Sequence, residues 1–124
     1  YINIEALTMI SMASKQILPA VISYTTELAN SIASVEAVGC DASVQKERLE
    51  AVTVELKAMN AALEKLKADQ ANGEKECAKC TAIYYHDTIM SDMAALRAPA
   101  DRLEMLVDKD FWPIPTYGDL LFEV

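Results

Sequence analysis

Glycine and proline are scarce here, three and four among 124 residues. Little of the chain is therefore committed to turns, while Ala, Leu, Glu, Lys and Met, the strong helix formers, are plentiful. Basic residues are also short, 11 Lys and Arg against 19 Asp and Glu, for a net charge of −8. That balance argues against a nucleic-acid backbone, whose counterions only Lys and Arg displace. It also disfavours an anionic membrane surface. No consecutive run reaches the roughly 18 apolar residues of a membrane span. Cys40, Cys77 and Cys80 make an odd count. The first residues, Tyr1-Ile2-Asn3-Ile4-Glu5, carry no basic leader. Both points fit a reducing cytoplasm better than a disulfide framework. A starting Met is missing too, so the chain reads as a processed or excised piece. Hydrophobic residues still make up 52%, enough for one ordinary folded domain.

Leu49, Val52, Leu56, Met59, Leu63 and Leu66 are spaced by three and four residues in alternation. This is a heptad seam, which places every apolar side chain on one narrow helical stripe. Lys46, Glu47, Arg48, Glu50, Glu55, Lys57, Glu64, Lys65 and Lys67 fall on the other faces. A stripe so narrow on a helix so charged needs partner helices, and the chain supplies one on each side.

The first spans about residues 3–38, with Leu7, Ile10, Ser14, Ile17, Val21, Tyr24, Leu28, Ser31 and Val35 as its stripe. Only Glu5, Lys15, Glu27 and Glu36 are charged in it. A helix so poor in charge is usually buried on more than one side. Either the bundle core is oversized or a surface outside this chain covers the helix. Pro19 lacks an N–H and crowds the carbonyl four residues earlier, so a kink or break is expected there. Gly39 fits a left-handed helix end, and Asp41 can cap the next helix. That second helix spans about 42–69, with Asn72-Gly73 as the turn behind it. The third spans about 74–107 with the stripe Ala82, His86, Ile89, Met93, Leu96, Ala100, Leu103 and Val107. Pro99 is expected to bend its last turns. The fold class is all-α: an up-down-up antiparallel three-helix bundle of long, Pro-kinked helices over 1–110, followed by an extended aromatic tail, 111–124.

Few residues invite chemistry. Cys77-Ala78-Lys79-Cys80 is a CxxC, but Cys40 lies ~40 Å off by helix rise, and no strand precedes the motif as a redox site would need. Two small helical residues without chemistry are the expectation. His86 falls on the apolar stripe and reads as a core or boundary histidine. The carboxylates read as solvent-facing, with no pair spaced for acid–base work. Met59, Met90, Met93 and Met105 read as core. No catalytic, cofactor-binding or metal-ligating residue is expected. The tail is the exception to blandness. Leaving Trp112, Tyr117 or Phe122 in water would cost ~1.5–3 kcal/mol each, so they must cover something. Trp112, Pro113, Pro115, Tyr117 and Phe122 are the candidate docking residues.

The run Trp112-Pro113-Ile114-Pro115-Thr116-Tyr117-Gly118-Asp119-Leu120-Leu121-Phe122 resembles the C-terminus of type III glutamine synthetases. Ala95-Leu96-Arg97, Ala100-Asp101, Leu103-Glu104 and Leu106-Val107 fit the same region. So do Tyr84-Tyr85 with Asp87. The opening Tyr1 to Leu7, with Gln16-Ile17-Leu18-Pro19-Ala20, resembles its start. The resemblance covers the whole chain, and the tail run is its specific part. It implies that the chain is a non-catalytic structural or oligomerisation region. The parent would be a cytoplasmic enzyme that joins glutamate and ammonia using ATP and magnesium. Its active-site motifs are absent here, so this piece should be inactive alone. The implied partners are the catalytic domain of the same polypeptide and neighbouring subunits, with no nucleic acid and no membrane. A stand-alone helical interaction module is the rival reading.

Overall fold

A computed structural model describes residues 2–75 and 82–114. All regular structure among them is helical: α1 (Ile2–Met12), a π-helical turn (Ala13–Ile17), α2 (Leu18–Ala37), α3 (Ser43–Lys75) and α4 (Ala82–Leu106). The α1–π–α2 segment is continuous. The expected break at Pro19 is instead a π turn just ahead of it, in which the Leu18 N–H donates to the Ala13 carbonyl. Proline interferes with the helical bonding of the turn before it, and a wider turn accommodates that interference.

The π turn also changes which residues face inward. Downstream of it Ile17, Val21, Tyr24 and Leu28 are buried, as their spacing predicts. Upstream the buried positions are Ala6 and Ala13, one residue earlier than the expected Leu7 and Ser14. A π turn takes up an extra residue, so the helical phase on its two sides differs by one position. Leu7 is left 45% exposed.

The end of α2 is a Schellman closure. Gly39 takes φ +80°, its N–H donates to the Glu36 carbonyl and the Cys40 N–H donates to that of Val35. Asp41 then accepts from the backbone N–H and the hydroxyl of Ser43, at the start of α3. Lys46 and Glu36 pair across this corner at 2.7 Å.

The α3 seam is the centre of the core. Val52, Met59, Leu63 and Leu66 have no exposed surface, and Leu49 and Leu56 pack at its edge. α3 does not stop near residue 69. It continues through Asn72-Gly73 to Lys75, and the three-four spacing continues with it through Gln70 and Gly73. Gly73 serves packing here: a Cβ at this position would run into the Tyr85 ring. α4 pairs with α3 in opposite sense. The pairs are Gly73 with Tyr85, Lys65 with Asp92, Glu55 with Arg102 and Arg48 with the Leu106 carbonyl (2.7 Å). α4 also runs on through Pro99. Phe111 and Trp112 extend the core past residue 110: Trp112 is buried, and Phe111 lies 5.4 Å from the Tyr24 ring.

The segment Asn3–Ala37 is long and apolar enough to cross a membrane by length and composition, contrary to the expectation from unbroken apolar runs. Isolated Ser, Thr and Lys residues interrupt the runs without making the helix polar. Its buried residues face α3 and α4.

Gly73→Ala sets a packing clash against helix propensity. At an open helical site the change would stabilise by about 1 kcal/mol. Against the Tyr85 ring it should destabilise by about 1–3 kcal/mol, seen as a lower urea midpoint. A higher midpoint would remove the packing role given to this glycine.

Candidate docking surface

After α4, Asp108 organises a single tight turn. Its carboxylate accepts the Asp110 N–H at 2.9 Å, and its carbonyl accepts the N–H groups of Phe111 (2.9 Å) and Trp112 (3.2 Å). This turn folds the aromatic pair back onto α2. Phe111 meets Tyr24 with the rings tilted by 56°, a favoured aromatic geometry. The Trp112 Nε1–H is buried with no acceptor among the described residues. Of the five candidate docking residues, Trp112 is therefore seated in the core and Pro113 is exposed. Pro115, Tyr117 and Phe122 lie outside the described residues.

Ile114 points the chain toward a cavity of about 500 Å³ between α1 and α4. Met9, Met12, Ile17, Met93 and Leu96 give it apolar walls, with Glu5, Arg97 and Asp101 among its charged lining. A further apolar surface lies on the first helix, where Ile4, Leu7 and Ile22 are 67%, 45% and 51% exposed.

Two polar clusters tie the helices together. At one end, the Asn3 side-chain oxygen accepts from Gln70 Nε2 (3.1 Å) and from the Tyr85 hydroxyl (2.9 Å), joining α1, α3 and α4. Further along the same helix pair, Lys65 Nζ donates to Asp92 Oδ1 (2.8 Å) and Asp69 Oδ2 (3.0 Å). Asp92 is buried, so not every carboxylate faces solvent and two do meet. Burial, followed by the hydrogen bond with Asp69, pushes the Asp92 carboxyl above its usual range. The hydrogen bond from Asp92, followed by that from Lys65, holds Asp69 below its own. The two carboxyls, Asp92 first, raise the Lys65 value in turn. The lysine occupies the pair's charge, so the arrangement suits a structural latch.

The remaining sequence candidates disperse. His86 is exposed, with Nδ1 3.7 Å from Asp87 Oδ1, and is not a core residue. Cys40 is a free, exposed thiol, and Cys77 and Cys80 lie outside the described residues. Met59 and Met93 are buried, whereas Met90 and Met105 are exposed and are not core. Sequence reasoning misses Asp92 and Tyr85. The signal is present in the three-four series Tyr85, Ile89, Asp92, Leu96, Pro99, Leu103, which shares every second member with the expected stripe. Counting the stripe from Ala82 selects the next residue along, His86, Met93 and Ala100, at each alternate position and hides it.

Comparison with known proteins bears on the helix that carries the exposed apolar face. Residues 1–36 match the family described as "Glutamine synthetase C-terminal domain". The whole chain is similar to a glutamine synthetase of Butyrivibrio fibrisolvens, 32% identical over 127 residues, covering 99% of this chain and 18% of the relative. It is also similar to a glutamine synthetase of Bacteroides fragilis (strain YCH46), 24% identical over 128 residues, covering 98% of this chain and 18% of the relative. The chain thus spans about a fifth of the length of these relatives. No solved structure matches it significantly.

The two aspartates contribute to stability with opposite pH dependence. The folded Asp92 value lies above its unfolded 3.8, so its contribution is greatest below that pH and is lost as pH rises through the raised value. Asp69, lowered from 3.8, contributes above 3.8 and loses this as pH falls. Asp92→Asn keeps an acceptor for Lys65 but cannot ionise. Urea unfolding should show the variant gaining on the parent as pH climbs from 3.8 toward neutrality. A constant difference across that window would mean that Asp92 titrates as an ordinary carboxyl.

Proposed function

We propose that this chain is the C-terminal helical region of a type III glutamine synthetase and that its role is structural. The observation that carries this reading is a coincidence of position. The family match over residues 1–36 falls on the helix with exposed Ile4, Leu7 and Ile22. Large apolar side chains kept on a folded surface mark a docking face. The rest of the longer polypeptide, its catalytic domain and neighbouring subunits, is the partner that face fits. The region is then an up-down-up, Pro-kinked bundle with a docking tail. Trp112, Pro113, Pro115, Tyr117 and Phe122 secure it, supporting the core and closing contacts in a cytoplasmic homo-oligomer. Neither nucleic acid nor membrane is a partner in this reading.

The parent reaction joins glutamate and ammonia at the expense of ATP, with magnesium. The described residues do not fit those cofactors. They include no group of three or more His, Cys, Asp or Glu side chains placed to hold a cation, and the Asp69 and Asp92 carboxyls are already engaged by Lys65. We therefore derive no chemical step in this region, and the isolated chain should form no glutamine.

The reading frame upstream of the Tyr1 codon tests the parentage directly. A continuous frame encoding a glutamine synthetase catalytic domain is expected. A start codon immediately before Tyr1 would leave a stand-alone interaction module. The docking role is tested by Leu7→Glu and Ile22→Glu. In the isolated chain these exposed changes should move stability by no more than about 0.5 kcal/mol. In the long polypeptide they should weaken subunit assembly, read by sedimentation. Unaltered assembly would remove this face from the interface.

A further inference from the structure

We propose that one end of the bundle is a proton-governed latch: it stays shut while Asp92 carries a proton and opens locally, ahead of the rest of the fold, when Asp92 ionises. This goes beyond the structural role given to the region and rests on the packing of α3 against α4, whatever the parentage.

The end in question is closed mainly by polar contacts. The α3 seam has no large apolar member past Leu66, because its next positions are Gln70 and Gly73. Opposite them α4 offers the Tyr85 ring and Ile89, and α1 buries the small Ala6. Asn3, Gln70 and Tyr85 tie the three helices together through side-chain hydrogen bonds. The rest of the bundle buries Val52, Met59, Leu96, Leu103 and Trp112. An end that hides little apolar area costs little to open, so it can part while the remaining core stays closed.

The switch lies at the border of the two stretches. The Asp92 side chain is 4% exposed. Its Oδ1 accepts from Lys65, while Oδ2 is buried with no hydrogen-bond partner among the described residues. The charged groups that act on it are Asp69 and Lys65, both on α3. Asn3 and Gln70 in the neighbouring cluster do not ionise, and His86 on α4 is exposed and faces Asp87. One ammonium therefore stands against two carboxyls. With Asp92 protonated the charges balance, and its O–H has the Asp69 carboxylate to donate to. With Asp92 ionised one negative charge is left over, on a group shut away from water. Opening returns that carboxylate to water, so ionisation favours the open end. Closure is strongest below the unfolded value of 3.8 and weakens as pH rises through the raised folded value. Above 3.8 the contribution of Asp69, whose value is lowered, is present, and Lys65, whose value is raised, stays charged to neutrality. Asn3 belongs to α1, so the same opening frees the start of the helix that bears exposed Ile4 and Leu7. Only this last consequence rests on the docking role of that helix.

Amide hydrogen exchange of the full 124-residue chain, corrected for intrinsic rates, is the test. At neutrality the amides of residues 66–72 and 88–92 should be severalfold less protected than those of Val52, Met59 and Leu103. Low urea should reduce protection of the core amides and barely change that of the end, which is the signature of local opening. Protection of the end should rise severalfold as pH is lowered toward 3.8. Asp92→Asn should make it nearly independent of pH, Asp69→Asn should shrink the change, and His86→Gln should leave it whole. An end as protected and as urea-sensitive as the core would overturn the proposal, because the bundle would then open only as one unit. So would a pH dependence that survives Asp92→Asn or disappears with His86→Gln. A failure of the parentage, seen in the upstream frame, would leave these results unchanged.

Discussion

Everything in this molecule depends on burying the α3 seam. Four of its side chains, Val52, Met59, Leu63 and Leu66, have no exposed surface. A single helix cannot hide a stripe from water, so helices on both sides must close over it. Hydrophobic burial is non-directional and does not set how those helices align along their length. Polar contacts do that. The Asn3 cluster fixes one end, and Arg48 on the Leu106 carbonyl fixes the other. The Lys65 latch lies between them and holds α4 to α3 at a defined residue.

Much of this is legible in the sequence. The α3 seam follows residue by residue, because strict three-four spacing over many turns is the pattern of a helix buried along one stripe. The Gly39 closure and the Asp41 contact follow from short-range chemistry. Where sequence and fold part company, tertiary context is the common cause. Asn72-Gly73 is a strong local turn signal, yet α3 runs straight through it, because the missing Cβ makes room for the Tyr85 ring of α4. His86 and Asp92 exchange their expected places. Spacing from Ala82 puts the histidine on the inward stripe, whereas Lys65 makes a buried carboxylate tolerable. The charge-poor first helix is legible as the one that carries exposed Ile4, Leu7 and Ile22. The groove is not readable, because it exists only between two helices.

Charge is divided unevenly over the fold. α3 carries most of the lysines and many of the glutamates, while the first helix carries four charged residues across positions 2–37. The molecule therefore has one well-solvated side and one poorly solvated side. Single exposed apolar residues are normal on protein surfaces, so the asymmetry matters more than any one of them. The same helix contributes to the core, to the groove wall and to the exposed face, which makes it the element least able to tolerate change.

The π turn at Ala13–Ile17 has a consequence for how such a helix diverges. It behaves as an inserted residue absorbed without breaking the rod. A descendant that deletes one residue there could return to plain α geometry and keep its length almost unchanged. Upstream, however, every side chain would rotate by about 100° relative to the downstream face. The groove wall, the solvent-facing side and the inward positions now held by Asn3 and Ala6 would trade members, while the core contacts of Val21, Tyr24 and Leu28 stayed as they were. An indel at this point is therefore a means of re-facing half a helix in a single evolutionary step.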